Sequence, residues 1–499
     1  MHRWKSSLLL GLLLIVAAAV GGSGRAAHAA TTRVWTGAVN LNWNTAGNWS
    51  PAGVPVDGDS VVIGAAANGK TLNNDRPSDL ALNSLSISVS MTIVGNRLGI
   101  VSIISASAPF GDVFLDLPIA LNGDVDVSIG AANRLFMRER DSPDGTIALA
   151  LNGHRLSKTG GRDMEFSGEI TGSGEVRDVS GDLRLNVSSF FSGTISAQSG
   201  ARILLSNDIF RQSPNCAKAP NAKIVLTSAE LSVICAGSIG SLSGSGTLAM
   251  PYAQSRLTIA GASGGAVFTG NVTGAAPSNI TCCSAGSQTF RGSSTYSGYF
   301  TVSGGILALD GATFPSASLF TVQGKGAFPA GLGGYGTFGT TVLITALLDL
   351  TSVNGKFGLA RFPQLLLAPD VEVDYEIKGA TPGTGFTQVV TTDKVDIDSA
   401  RLSLDFGSYV PAAGQSFTLI KGFTTGTFRN VADDKPLAEG AVFTASGMQF
   451  KISYNGAADD VVITRQGGAA TPTPSPSPTS TPSPQMKYRD FIPMVARES

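Results

Sequence analysis

The stretch Ser294-Thr295-Tyr296-Ser297-Gly298-Tyr299-Phe300-Thr301-Val302-Ser303-Gly304-Gly305-Ile306-Leu307-Ala308-Leu309 reads as a short strand, a glycine corner and a second short strand. It carries too little apolar surface to fold alone. A looser copy lies upstream between Ser188 and Leu205, around Phe191-Ser192-Gly193-Thr194-Ile195. Fragments recur as Phe166-Ser167-Gly168-Glu169-Ile170 and Phe268-Thr269-Gly270-Asn271-Val272. A recurring aromatic, small residue, glycine, any residue, β-branched pattern predicts stacked rungs, each burying a face only against its neighbours.

The surrounding chain agrees. From about Ser84 to Met250, short runs such as Val125-Asp126-Val127-Ser128-Ile129 alternate apolar and polar residues between Gly, Asn, Asp and Ser punctuation. Period-two alternation without intervening helical runs predicts all-β structure. Past the leucine-rich stretch from Val342 to about Pro369 the alternation is very clean. Val371, Val373, Tyr375 and Ile377 point one way and Glu372, Asp374, Glu376 and Lys378 the other. This second region is expected to close the solenoid with one wet face. The 499 residues exceed one ordinary domain, but a solenoid grows along a single axis. Charged residues are only 14% with a formal net charge of -1, which gives no electrostatic footprint for nucleic acid or an anionic membrane.

Both ends carry signals of their own. Arg3 and Lys5 precede an uncharged apolar run from Leu8 to Val20, and Ala27-His28-Ala29 offers a small-x-small cleavage site. Residues 1–29 are therefore expected to be a secretory signal peptide, too short for a membrane span and leaving no transmembrane helix in the mature chain. Residues 467–484 are Thr, Ser and Pro rich, cannot build a core, and are expected to form a disordered, extended stalk. Residues 485–499, with Phe491-Ile492-Pro493-Met494-Val495, form a short apolar-basic tag. Export to an oxidising space makes disulfides the expected state of the four cysteines. Cys216 with Cys235 is the favoured bridge, and Cys282 and Cys283 form a vicinal pair or pair elsewhere. Adjacent cysteines without a second spaced pair fit zinc poorly.

All three tryptophans outside the leader, Trp35, Trp43 and Trp49, lie between Thr31 and Ile63. Large aromatics there suit a cap over the open edge of the first rung. The functional alternative is a sugar-stacking platform built on Trp43 and Trp49.

Trp35-Thr36-Gly37, Asn48-Trp49, Gly53-Val54-Pro55, Leu156-Ser157-Lys158-Thr159-Gly160 and Thr295-Tyr296-Ser297-Gly298 come in an order that resembles the autotransporter-associated β-strand repeat family. So do Val302-Ser303-Gly304-Gly305-Ile306-Leu307, Gly414-Gln415-Ser416-Phe417-Thr418-Leu419-Ile420 and Asp460-Val461-Val462-Ile463-Thr464. The resemblance implies a right-handed parallel β-helix with a surface or adhesive role and no assigned active site. It lacks two family or sorting features: a translocator barrel, and a Leu-Pro-x-Thr-Gly motif.

Little in the sequence points to chemistry. His154 is the one histidine outside the leader, in a glycine corner with no marked nucleophile, so a solvated turn is expected. Asp124 with Asp126, Asp396 with Asp398, and Glu372 with Asp374 and Glu376 are same-face carboxylates of the kind that β-helix polysaccharide lyases and glycoside hydrolases use. The same spacing follows from strand alternation on a solvated face. Arg138-Glu139-Arg140-Asp141 reads as a solvated turn. The resulting expectation divides the chain at 30–345, a β-solenoid with a Trp-rich cap, and 346–466, a C-terminal β region. The function expected is that of a secreted, cell-surface structural or adhesin-like protein without catalytic residues, cofactor or metal. Its partners would be the cell envelope or extracellular glycans and proteins, and its oligomeric state is open. The alternatives are a lyase or glycosidase of the β-helix type and a non-catalytic carbohydrate-binding surface protein.

Overall fold

A computed structural model describes residues 30–76, 80–131, 134–138, 147–186, 191–206, 218–261, 265–284, 286–324, 330–457 and 459–467. The described chain is all-β, interrupted only by two single-turn 3₁₀ segments, Ala46–Asn48 and Ala65–Ala67. Between the two ends strands stack in parallel, pairing with the strand one rung before and one rung after, so the sheet is solenoid-like. No helix among the described residues is long and apolar enough to cross a membrane.

Parallel in-register stacking puts equivalent inward positions directly above one another. One such column runs Val61, Leu85, Ile104, Val127, Lys158, Asp178, Ala197, Leu226 and Gly244. A second runs Met91, Val113, Leu135, Met164, Leu183, Ile203, Leu231, Leu248 and Val272. A third, further along the chain, runs Leu257, Ile280, Phe300, Phe320, Val342, Leu365 and Val395. The second and third columns are wholly apolar. Each rung buries side chains against both neighbours, which is why the single unit could not fold by itself.

The opening stretch becomes the strand Ser297–Val302, a corner, and the strand Gly305–Phe314. Tyr296 is fully buried, and its hydroxyl donates to the carbonyl oxygens of Ser278 (2.8 Å) and Tyr299 (3.0 Å). The ring lies over Gly298, where an added Cβ would overlap the Tyr296 hydroxyl. The same fold-back recurs: a Cβ at Gly193 would come within 2.5 Å of the Phe191 ring, and one at Gly270 within 2.6 Å of Phe268. At Trp35-Thr36-Gly37 the indole takes the place of the ring, 2.9 Å from a Cβ on Gly37. A Cβ at Gly193, Gly270 or Gly298 would also press on a backbone oxygen of the preceding rung, of Gly174, Gly246 and Ser278, whereas at Phe166-Ser167-Gly168 the preceding rung alone, through Ala148, crowds the glycine. The recurring aromatic-x-glycine is thus a glycine held between its own ring and the backbone of the preceding rung.

At the beginning, Trp49–Ser50 pairs antiparallel with Thr32–Trp35, whose other edge pairs in parallel with Ser60–Ile63. The first strand therefore offers no long free edge. Fully buried Asn48 ties this turn. Its side-chain oxygen accepts from the Val39 and Asn40 amides, and its amide donates to Asn40 and to the Asn42 carbonyl.

Parallel pairing continues past residue 346. Leu347–Leu350 still pairs in parallel with Glu372–Glu376, and that strand with Arg401–Asp405. Antiparallel pairing sets in only where Ser416–Lys421 meets Val461–Arg465, next to the hairpin of Val442–Ala445 with Met448–Ser453. The expected stalk and tag from residue 468 onward, and the leader 1–29, lie outside the described residues.

Candidate functional site

The tryptophans do not form a platform. Trp43 is 0% and Trp49 3% exposed, and each packs edge-on against a neighbour: Trp43 with Trp49 at 5.5 Å, and Trp49 with Trp35 at 5.0 Å. The Trp49 indole N–H donates to the Trp43 carbonyl at 2.9 Å. A sugar stacks on an exposed ring face, and here the faces are consumed by packing, so the stacking alternative is corrected to a structural one. Cys282 and Cys283 are joined by a disulfide, both fully buried, with Cys282 in a column between Ile259 and Val302. Cys216 lies outside the described residues, and with it the expected Cys216–Cys235 bridge.

Among the carboxylates, Asp124 and Asp126 both face solvent on the rung of Val125–Ile129. Asp124 lies beside the next rung's first residues. It accepts the Arg155 backbone N–H at 2.9 Å, lies 3.2 Å from the Arg155 guanidinium, and sits 3.9 Å from His154 Nδ1. The Arg155 guanidinium also donates to Ser157, which stacks between Asp126 and Arg177. Below them Glu175 accepts from Arg177 and Ser196. Sequence reading placed Asp124 and His154 separately; one-rung spacing brings them together with Arg155 in a half-exposed polar corner.

Four further carboxylates are drawn into clamps between rungs. Asp112 binds Arg134 at 2.7 Å, Asp116 binds Arg138 at 2.8 Å, Asp163 binds Arg184 at 2.8 Å, and Asp182 binds Arg202 at 2.6 Å. Arg138 is no solvated turn residue: its side chain is 13% exposed and its guanidinium lies 4.0 Å over the Phe114 ring, because a buried aspartate one rung away needs a cation. Glu376, expected on a wet face, is buried. It accepts from the Ser352 amide and hydroxyl and pairs with Lys378 at 2.6 Å. Against the pull of burial, these partners hold its carboxyl below the usual range. Asp398 has left the strand that carries Asp396 and turns with φ 37°, so that pair shares no strand face.

The most closely knit polar centre is one that sequence reading missed. Asp310 accepts from Arg291 (2.6 Å), the Tyr335 hydroxyl (2.6 Å) and Asn354 (3.3 Å), residues from successive rungs and the turn beyond them. Burial would raise the Asp310 carboxyl, but Tyr335 and then Arg291 hold it below its ordinary value. Burial first, and Asp310 second, push the Tyr335 hydroxyl up to about 12. It stays a donor near neutrality, and the centre acts as a strut rather than as an acid–base pair. No family model and no curated protein matches the chain.

Proposed function

We propose that this chain is a secreted β-solenoid displayed at the cell surface, working as a stiff structural or adhesive rod. The observation that carries the reading is the clamp set. Partners 19 to 26 residues apart join consecutive rungs at Arg33–Asp59, Asp112–Arg134, Asp116–Arg138, Asp163–Arg184, Asp182–Arg202 and Arg291–Asp310. In each of these clamps the carboxylate holds its own rung to the next. The finer assignment, a right-handed parallel β-helix of the autotransporter-associated repeat type, rests on the motif order in the sequence. The leader 1–29, the linker 467–484 and the tag 485–499 rest on their composition, and the closing role of the C-terminal β region on its strand alternation. The partners would be the cell envelope or extracellular glycans and proteins.

Fractionation tests it. The full chain is expected with the envelope, and a chain ending at residue 466 in the medium. Recovery of the intact, leader-bearing protein in the cytosol would overturn the proposal.

A second reading is favoured by one observation, the half-exposed corner of Asp124, His154 and Arg155. It makes the protein a polysaccharide lyase or glycosidase. It predicts depolymerisation of acidic polysaccharides by the purified mature chain, abolished by Asp124→Asn with Asp126→Asn; intact polysaccharide after prolonged incubation removes it.

A further inference from the structure

The first inward column carries aliphatic or small side chains on every rung but two. Lys158 stands over Val127, and Asp178 stands between Lys158 and Ala197. Both side chains are 0% exposed, and Lys158 Nζ lies 3.1 Å from Asp178 Oδ1. Two further Nζ hydrogens point to the carbonyl oxygens of Ser180 and Gly160. Neither Asp178 oxygen accepts a hydrogen bond of good geometry. A buried ion pair is costly unless every remaining lone pair is satisfied, and this carboxyl is poorly satisfied. Burial, opposed by the Lys158 ammonium, pushes it up to about 7, so the protonated acid is accessible near neutrality.

We propose that Lys158 and Asp178 are joined, Nζ to Cγ, in an amide that ties two consecutive rungs together. The chemistry needs nothing beyond the pair. The ammonium passes one proton to the carboxylate across the 3.1 Å gap, leaving a neutral amine beside a carboxylic acid. The Nζ lone pair adds to Cγ, forming the N–C bond. The tetrahedral adduct then expels one Asp178 oxygen as water, which takes the acid proton and a second proton from nitrogen. No electron is gained or lost. The contact of the Lys158 ammonium with the Asp178 carboxyl, 3.1 Å from Oδ1, supplies the proximity. The dry core favours the uncharged reactants and removes the water that would hydrolyse the product. The role is intramolecular cross-linking, and it holds wherever the protein resides.

Peptide mapping decides it. The mature chain, folded by its β circular dichroism, is reduced, denatured, digested with trypsin and analysed by mass spectrometry. Cleavage is expected to fail after Lys158, and residues 156–162 should appear joined to 178–184, lighter by one water than the two together. Fragmentation should place the branch at Asp178. Lys158→Arg keeps the charge but forms no such amide, so its branched peptide should vanish. Finding only the linear peptides 156–158 and 178–184 from folded wild-type protein overturns the proposal. So does a branch at Asp182.

Discussion

Two sets of rungs share one backbone geometry and fill it in opposite ways. Between Phe268 and Phe362 the core is a run of rings. Phe300 stacks on Phe320 at 4.9 Å and 8°, Phe338 on Phe362 at 4.9 Å and 7°, with Phe290 and Phe314 edge-on between them. Between Arg155 and Ser206 the buried positions include Lys158 with Asp178, and the chain of Glu165, Asn186 and Ser206. Parallel stacking explains both. It sets like position on like position, so a ring meets a ring, and a buried polar group must find its partner one rung away or go without. An apolar column tolerates any neighbour of the right size; a polar column is matched pair by pair.

The sharpest test of that difference is truncation. Phe320→Ala removes a fully buried ring packed on Phe300, Phe314 and Phe338, and should cost about 3–5 kcal/mol in urea unfolding. Asn186→Ala removes less volume but leaves Glu165 and Ser206 short of a partner, with an expected loss of about 1–3 kcal/mol. Equal losses would mean that the two regions are held by the same kind of interaction, and the comparison would fail.

Legibility in the sequence follows the divide between apolar and polar positions. Val371, Val373, Tyr375 and Ile377 alternate so regularly that their inward direction was plain, and all four are buried. The aromatic-x-glycine unit was visible as a repeat, though not its cause, because a ring resting on its own i+2 glycine is a contact rather than a propensity. The polar region resisted. A lysine in Leu156-Ser157-Lys158 defaults to solvent, and only the register with Val176-Arg177-Asp178 shows Leu156 and Lys158 on one inward face. The period-two pattern held that information, since Lys158 keeps the parity of Leu156. Arg138 and Glu376 were misplaced for the same reason: their partners, Asp116 and Ser352, lie a rung away, at a distance that alternation within one strand cannot encode.

The fold-back unit spans both regions and gives a smaller, cleaner probe. Gly298→Ala forces a methyl into the Tyr296 hydroxyl and the Ser278 carbonyl, and Gly193→Ala into the Phe191 ring and the Gly174 carbonyl. Each should cost about 1–3 kcal/mol by overpacking. Because Tyr296 also loses its bonds to Ser278 and Tyr299, the penalty should be the larger at Gly298. Pairing Gly298→Ala with Tyr296→Ala should recover part of the methyl's cost, and no recovery would show that glycine is needed there for some other contact.

A further difference, and one that separates the buried carboxylates by sign, is the pH dependence of stability. Asp310 and Glu376 sit below their ordinary values of 3.8 and 4.5, so the unfolded chain binds more protons there than the folded one. Their contribution is present above those values and lost as pH falls through the folded ones. Asp178 runs the other way. Raised from 3.8 to about 7, it makes the folded chain the better proton binder across that interval, so stability falls as pH climbs from about 4 to about 7. Asp310→Asn should therefore flatten the acid limb below pH 4 and leave the interval above it unchanged. The falling limb between 4 and 7 belongs to a free Asp178. A cross-linked Asp178 has no proton to bind, so wild-type protein carrying the amide should lack that limb. Thermal melts across this range would then show only the acid limb set by Asp310 and Glu376, and a limb lost on Asp178→Ala would mean that the pair is unlinked.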